Sequence, residues 1–193
     1  MRRLLILTLA LASCGSCQDG AVGAAGDAAA DARAKDAGHD GAADAEVDAG
    51  PTDDAMPASS SAELSTRARH LLEAIAQDNP DLATDILFPR DAWSQARDGQ
   101  DPAKVWDTKT KPAFASGIHS WAKRSKDMTR AQFVSFEIGK TVTQIEPKKK
   151  EWKKPLWQVK HSKLTFTVDG QARHLEVAEM VGWRGAWYVT HLK

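Results

Sequence analysis

All thirteen phenylalanine, tryptophan and tyrosine residues of this chain lie between Phe88 and Tyr188. Large rings bury the most area per side chain, so any core the protein builds must be built there. A domain of about 130 residues buries roughly two-thirds of its unfolded surface and folds without a metal or a disulfide. The chain's two cysteines, Cys14 and Cys17, both precede that region, so the folded part can hold no internal disulfide.

Charge divides at nearly the same place. Formal charge is zero over 193 residues, yet residues 18–61 carry ten acids against Arg33 and Lys35. Residues 62–193 carry the other sixteen acids against twenty-two bases, a net of +6. An acidic tail on a mildly basic domain describes the chain better than its neutral total. Of the forty-four residues 18–61, fifteen are Ala, nine Asp and six Gly, and none is Leu, Ile or aromatic. Nothing there can form a core, so the composition predicts a disordered linker over 14–61.

Met1-Arg2-Arg3 is a short positive start, and residues 4–12 are apolar apart from one Thr. That run is too short to cross a bilayer as a helix but fits the apolar part of a signal peptide over 1–13. Leu11-Ala12-Ser13-Cys14-Gly15 follows. It resembles the bacterial lipobox, in which the cysteine sulfur receives a diacylglyceryl group and a peptidase cuts just before it. The resemblance implies a lipoprotein anchored to a membrane through Cys14. Two acyl chains, at about 0.8 kcal/mol per buried methylene, make such an anchor effectively permanent. With Gly15 rather than Asp after the cysteine, it further implies the outer membrane. An ordinary secretory signal cut near Ala12 or Ser16 is the other reading, and Cys17 is then, as in the first, a spare thiol.

Past Ser61 the periodicity turns helical. Ser60-Ser61-Ala62-Glu63 has capping-box spacing, and Leu64, Ala68, Leu71, Leu72 and Ile75 follow at helical intervals. Asn79-Pro80 opens a second short helix. Residues 90–111 read as looser chain, and 112–126 as a helix with Phe114, Ile118 and Trp121 on one stripe. From Gln132 the period becomes two. Val134, Phe136, Ile138 and Val142 predict one long strand reaching Glu146. A second strand begins on Trp157 and Val159 and changes phase to Leu164, Phe166 and Val168, which predicts a bulge near residues 161–163. Asp169-Gly170 predicts a hairpin. Leu175, Val177, Val181 and Trp183 then alternate, as do Trp187, Val189 and His191 after Arg184-Gly185.

Helices followed by a four-stranded antiparallel meander make an α+β domain over 62–193. Its order, with the ending Gly185-Ala186-Trp187-Tyr188-Val189-Thr190-His191-Leu192-Lys193, resembles the NTF2-like (SnoaL-like) cone, in which N-terminal helices pack into a curved sheet. The resemblance implies a fold. That fold hosts enzymes, binders and homodimers alike, so the resemblance is nearly silent about function.

Chemistry is sparse. The sequence has no zinc-ligand spacing, no Gly-rich phosphate loop after a strand and no Gly-x-Ser-x-Gly, so it implies no metal and no cofactor. Enzymes of the resembling fold place an acid–base pair within the cone, and simple alternation offers His191 with Glu179. A structural hydrogen bond at the sheet edge is the alternative use of those two groups. The run Lys148-Lys149-Lys150-Glu151-Trp152-Lys153-Lys154 offers an anionic envelope component five ammonium groups, with Trp152 inserting at the interface. Two other uses stand beside that one: a soluble end for a hairpin, and a counter-charge for the acidic linker. The sequence-level expectation is a cell-envelope lipoprotein whose domain binds a ligand or protein partner, not nucleic acid. A small hydrolase, isomerase or dehydratase using His191 and Glu179 is the alternative.

Overall fold

A computed structural model describes residues 50–125, 127–148 and 151–192. The signal peptide, Cys14, Cys17, most of the linker and two of the tip lysines, Lys149 and Lys150, lie outside the described residues. Among the described residues no helix is long and apolar enough to cross a membrane.

The domain is α+β: helices first, then an open antiparallel sheet of five strands. Helix α1 (Ala62–Ala76) is capped by Ser61, whose hydroxyl accepts the Leu64 N–H at 3.0 Å. The cap is thus one residue later than the capping-box spacing, and Glu63 instead pairs with Arg67 one turn on. Leu64, Ala68, Leu71, Leu72 and Ile75 are buried as their spacing requires. A 3-10 turn over Pro80–Ala83 follows, with Asn79 capping Asp81 and Pro80 at its first position. Residues 86–88 then run beside the last strand: Val189 N–H donates to the Ile86 carbonyl at 2.7 Å and Phe88 N–H to the Val189 carbonyl at 3.0 Å. That contact covers part of a sheet edge that would otherwise be open to pairing.

The stretch that reads as looser chain is helical. It holds α2 (Arg90–Ala96), α3 (Pro102–Val105) and a π-turn (Trp106–Thr110) that runs into α4 (Lys111–Arg124). Short helices of four to seven residues show too little of a 3.6-residue period to be read from spacing. The π-turn seats Trp106 so that its indole N–H donates to the Phe88 carbonyl at 2.8 Å.

The expected first strand is two: β1 (Gln132–Glu137) and β2 (Val142–Ile145), both paired with the long β3 (Leu156–Val168). Pairing moves from Glu137↔Lys163 to Val142↔Val159, so four residues of one chain face three of the other. A bulge between Phe133 and Ser135 turns Phe133 toward the core and leaves Val134 exposed, contrary to strict alternation. Strands β4 (Gln171–Trp183) and β5 (Ala186–His191) complete the order β1-β3-β4-β5, with β2 beside β3.

The phase change in β3 falls where the sequence puts it. His161 has φ +60°, and the buried face passes from Val159 to Ser162, Leu164, Phe166 and Val168. Strand β4 changes phase opposite it: Leu175, Val177 and Met180 face the main core, whereas Val181 and Trp183 face the other side. The single alternation expected through Leu175, Val177, Val181 and Trp183 is therefore broken.

Two cores result. Helices α1 and α4 cover one face of the sheet with a largely aliphatic cluster that includes Leu71, Ile75, Ile118, Leu164, Leu175 and Val189. On the other face, at one end only, α2 closes a cluster of Phe88, Trp93, Trp152, Leu156, Val181 and Trp183. Each fully buried Leu, Ile or Phe contributes about 1.5–3 kcal/mol relative to exposure.

The chain just before α1 is part of this body, although its composition groups it with the linker. The Pro57 ring is buried over Gly182, where a Cβ would stand 2.8 Å from two of its carbons. Trp157 and Trp187 donate their indole N–H groups to the carbonyls of Asp54 and Ala58, each at 3.0 Å. Asp53 accepts from the Arg184 guanidinium at 2.8 Å and from the Lys154 ammonium.

Candidate functional site

The basic tip is built into the fold rather than projecting from it. Trp152 is only 7% exposed and packs edge-on against Phe88 and Trp93, with the Arg97 guanidinium 4.8 Å above its ring. Lys153 N–H donates to the Ala96 carbonyl at 2.8 Å and Asp98 N–H to the Glu151 carbonyl at 3.0 Å, tying the tip to the end of α2. A ring in this position cannot insert into a membrane surface, contrary to the expectation from its lysine neighbours. Lys148 pairs with Glu151 at 2.9 Å, and Lys154 with Asp53. The Lys154–Asp53 contact ties the tip to the acidic segment just before α1. Lys154 and Arg184, each bonded to the carboxylate, hold Asp53 below its usual range. Of the tip lysines described, only Lys153 presents its ammonium to solvent without a partner.

Glu179 and His191 are register partners across β4 and β5 but form no acid–base pair inside the fold. A bulge beyond Met180 and Val189 breaks the alternation from Trp187, so His191 emerges exposed instead of pointing inward. It borders a shallow cleft of about 620 Å³ with Ser116, Ser120, Lys123 and Leu192. The Glu179 carboxylate accepts the Thr190 hydroxyl at 2.8 Å, the structural hydrogen bond that was the alternative use of this group. The interior is filled: Phe166 and Trp187 are each 2% exposed on the helix side, and Trp183 4% on the other.

A groove lined by two lysines and a histidine lies elsewhere, on the outer sheet face where β2, β3 and the break between β1 and β2 meet. Lys140, Thr141, Thr143, Gln158, Lys160 and His161 line about 550 Å³. The lysines come from segments twenty residues apart and are joined by the β2–β3 register, so no local motif announces them. The Nδ1 of His161 lies 2.6 Å from Glu176. Two further surface pairs of the same kind are His70 with Asp85 at 2.7 Å and His119 with Asp78 at 2.6 Å. Among the described residues no group of three or more His, Cys, Asp and Glu side chains could hold a metal ion.

No family model matches the chain, and neither a curated protein nor a solved structure matches it.

Proposed function

We propose that this chain is an exported bacterial lipoprotein, cut before Cys14 and anchored through lipid on it, whose domain presents a binding surface in the cell envelope. The observation that carries the address is the sequence Leu11-Ala12-Ser13-Cys14 at the end of the largely apolar run over residues 4–12. With Gly15 after the cysteine, the outer membrane is its destination. Between the cysteine and the domain lies an acidic segment poor in large apolar side chains. The domain's partner is an anionic component of the envelope or another protein.

In this reading the fold is NTF2-like, with α1 and α4 lying in the concave side of the sheet. Support comes from the element order and from the closing strand with Trp187 and Val189 turned inward. Binding rather than catalysis is supported by the burial of Phe166 and Trp187, whose rings occupy the space a reacting substrate would need. A homodimer through the outer sheet face would have to form beside α2, which covers one end of that face.

The test is the intact mass of the protein recovered from its native membrane, beside a Cys14→Ala version. A chain beginning at residue 14 with added acyl mass, absent from the variant, supports the reading. A chain without acyl mass overturns it.

A further inference from the structure

Three irregularities fall on one line across the sheet. The edge breaks between β1 and β2, His161 of β3 takes φ +60°, and β4 changes phase between Val177 and Met180. The line is built rather than incidental. At Gly139 a Cβ would stand 1.9 Å from the Lys160 carbonyl oxygen, so only glycine lets the broken edge lie this close. Gly139 N–H, which leaves the ladder there, donates at 3.2 Å to the hydroxyl of Ser162, a fully buried side chain. A left-handed residue without a glycine costs of order 1–3 kcal/mol and tends to persist where the local shape is used. Bulges likewise gather where a side chain must be re-aimed.

What the line re-aims is the lining of the 550 Å³ groove. The break brings Lys140 and Thr141 to the rim that Thr143, Gln158, Lys160 and His161 complete. Neither lysine has a hydrogen-bond or ion-pair partner among the described residues. No acidic side chain lines the groove. On β4, Glu176 bonds His161 at 2.6 Å, and Glu179, the register partner of Lys160, accepts the Thr190 hydroxyl at 2.8 Å. Glu176 occupies Nδ1 of the ring and leaves Nε2 as the available nitrogen.

From this geometry we infer that the groove binds a phosphorylated sugar. Two ammonium groups without a bonded partner suit a phosphate monoester, and lysine serves phosphate as a mobile point charge. Two threonine hydroxyls and the Gln158 amide supply neutral donors and acceptors suited to sugar hydroxyls. The volume lies within the range of small-ligand sites. The sugar phosphate is either free or part of a lipid headgroup. The inference rests on the reading of the domain as a binding module and names its ligand class, but it does not depend on the anchor.

The test uses the full chain carrying Cys14→Ala. Glucose 6-phosphate, glucose and inorganic phosphate are titrated by calorimetry, and vesicles with and without phosphatidylinositol phosphate are used in co-sedimentation. The expected result is binding of glucose 6-phosphate, of those vesicles, or of both, with glucose alone inert. A Lys140→Gln, Lys160→Gln pair weakens it roughly tenfold or more, the scale of charge-assisted hydrogen bonds. Lys104→Gln with Lys109→Gln, exposed lysines of α3 and the π-turn that do not line the groove, leaves it unchanged. Free ligand bound without vesicles assigns a soluble source, and vesicles bound without free ligand assign a headgroup. No binding in either arm, or binding that the control pair weakens as much as the groove pair, overturns the inference. The intact-mass result stands apart from these outcomes, so a failed site and a failed anchor are told apart.

Discussion

The two faces of the sheet are closed by different means. Beneath α1 and α4 the core is aliphatic, and its members recur at intervals of 3.6 along the helices and of two along the strands. At the end covered by α2 the core is a set of rings about Phe88, whose neighbours Trp93, Trp152, Trp183 and Tyr188 stand edge-on at centroid distances of 5.8–6.2 Å. Such pairs contribute about 0.5–1.5 kcal/mol each beyond their buried area. Four of those five rings come from turns, short helices or strand ends, and none follows a long period. Arg97, Lys154 and Arg184 rest over the cluster's rings and seal it with charge. One core is held by repetition, the other by a few large side chains brought from distant segments.

The largest expected effect compares the two directly. Phe88→Ala removes the hub of the ring cluster and costs about 3–5 kcal/mol, and Leu71→Ala in the aliphatic core about 2–5 kcal/mol. Denaturant unfolding measures both, and near-ultraviolet dichroism separates them. The native-state aromatic signal collapses in Phe88→Ala and survives in Leu71→Ala. If far- and near-ultraviolet transitions part company in Phe88→Ala, the ring cluster melts as a unit of its own and the picture of one cooperative body fails.

A smaller effect probes the segment over Gly182. Gly182→Ala pushes a Cβ to 2.8 Å from the Pro57 ring, an overpacking that costs about 1–3 kcal/mol. The same change made in a Pro57→Ala background costs less, because the clashing ring is gone. Equal costs in the two backgrounds mean that Pro57 does not lie over Gly182 in solution.

The smallest effect is electrostatic. Asp53→Asn costs under about 1 kcal/mol at neutral pH, as partly exposed ion pairs do. The folded state lowers the Asp53 pKa, so its contribution is present above the ordinary value of 3.8 and is lost as pH falls through the lower folded value. Melting temperatures of the protein and of Asp53→Asn should therefore differ at neutral pH and converge in acid. A constant gap places the cause elsewhere.

Legibility followed the same division. Helix α1, the stripe of α4 and the phase change at His161 could be read because each repeats a local period or breaks one visibly. Long-range placement could not be read. Trp152 looked like a membrane-facing ring because its lysine neighbours are local, whereas Phe88 and Trp93, which bury it, are far away in sequence. His191 looked inward because the bulge that turns it out leaves no mark in the strand's composition. Lys140 and Lys160 were silent for a like reason, since only the register of β2 on β3 makes them neighbours. The segment before α1 holds on through backbone carbonyls, one proline and one aspartate, none of which hydrophobic patterning detects.

Residues 51–58 belong to the folded body and complete it over Trp157 and Trp187. The most direct measurement compares a chain beginning at residue 50 with one beginning at residue 60, by thermal unfolding and tryptophan emission. A lower melting temperature and red-shifted emission are expected for the shorter chain, because both indoles lose their carbonyl partners and gain water. Identical melting and identical emission would contradict it and return those eight residues to the linker.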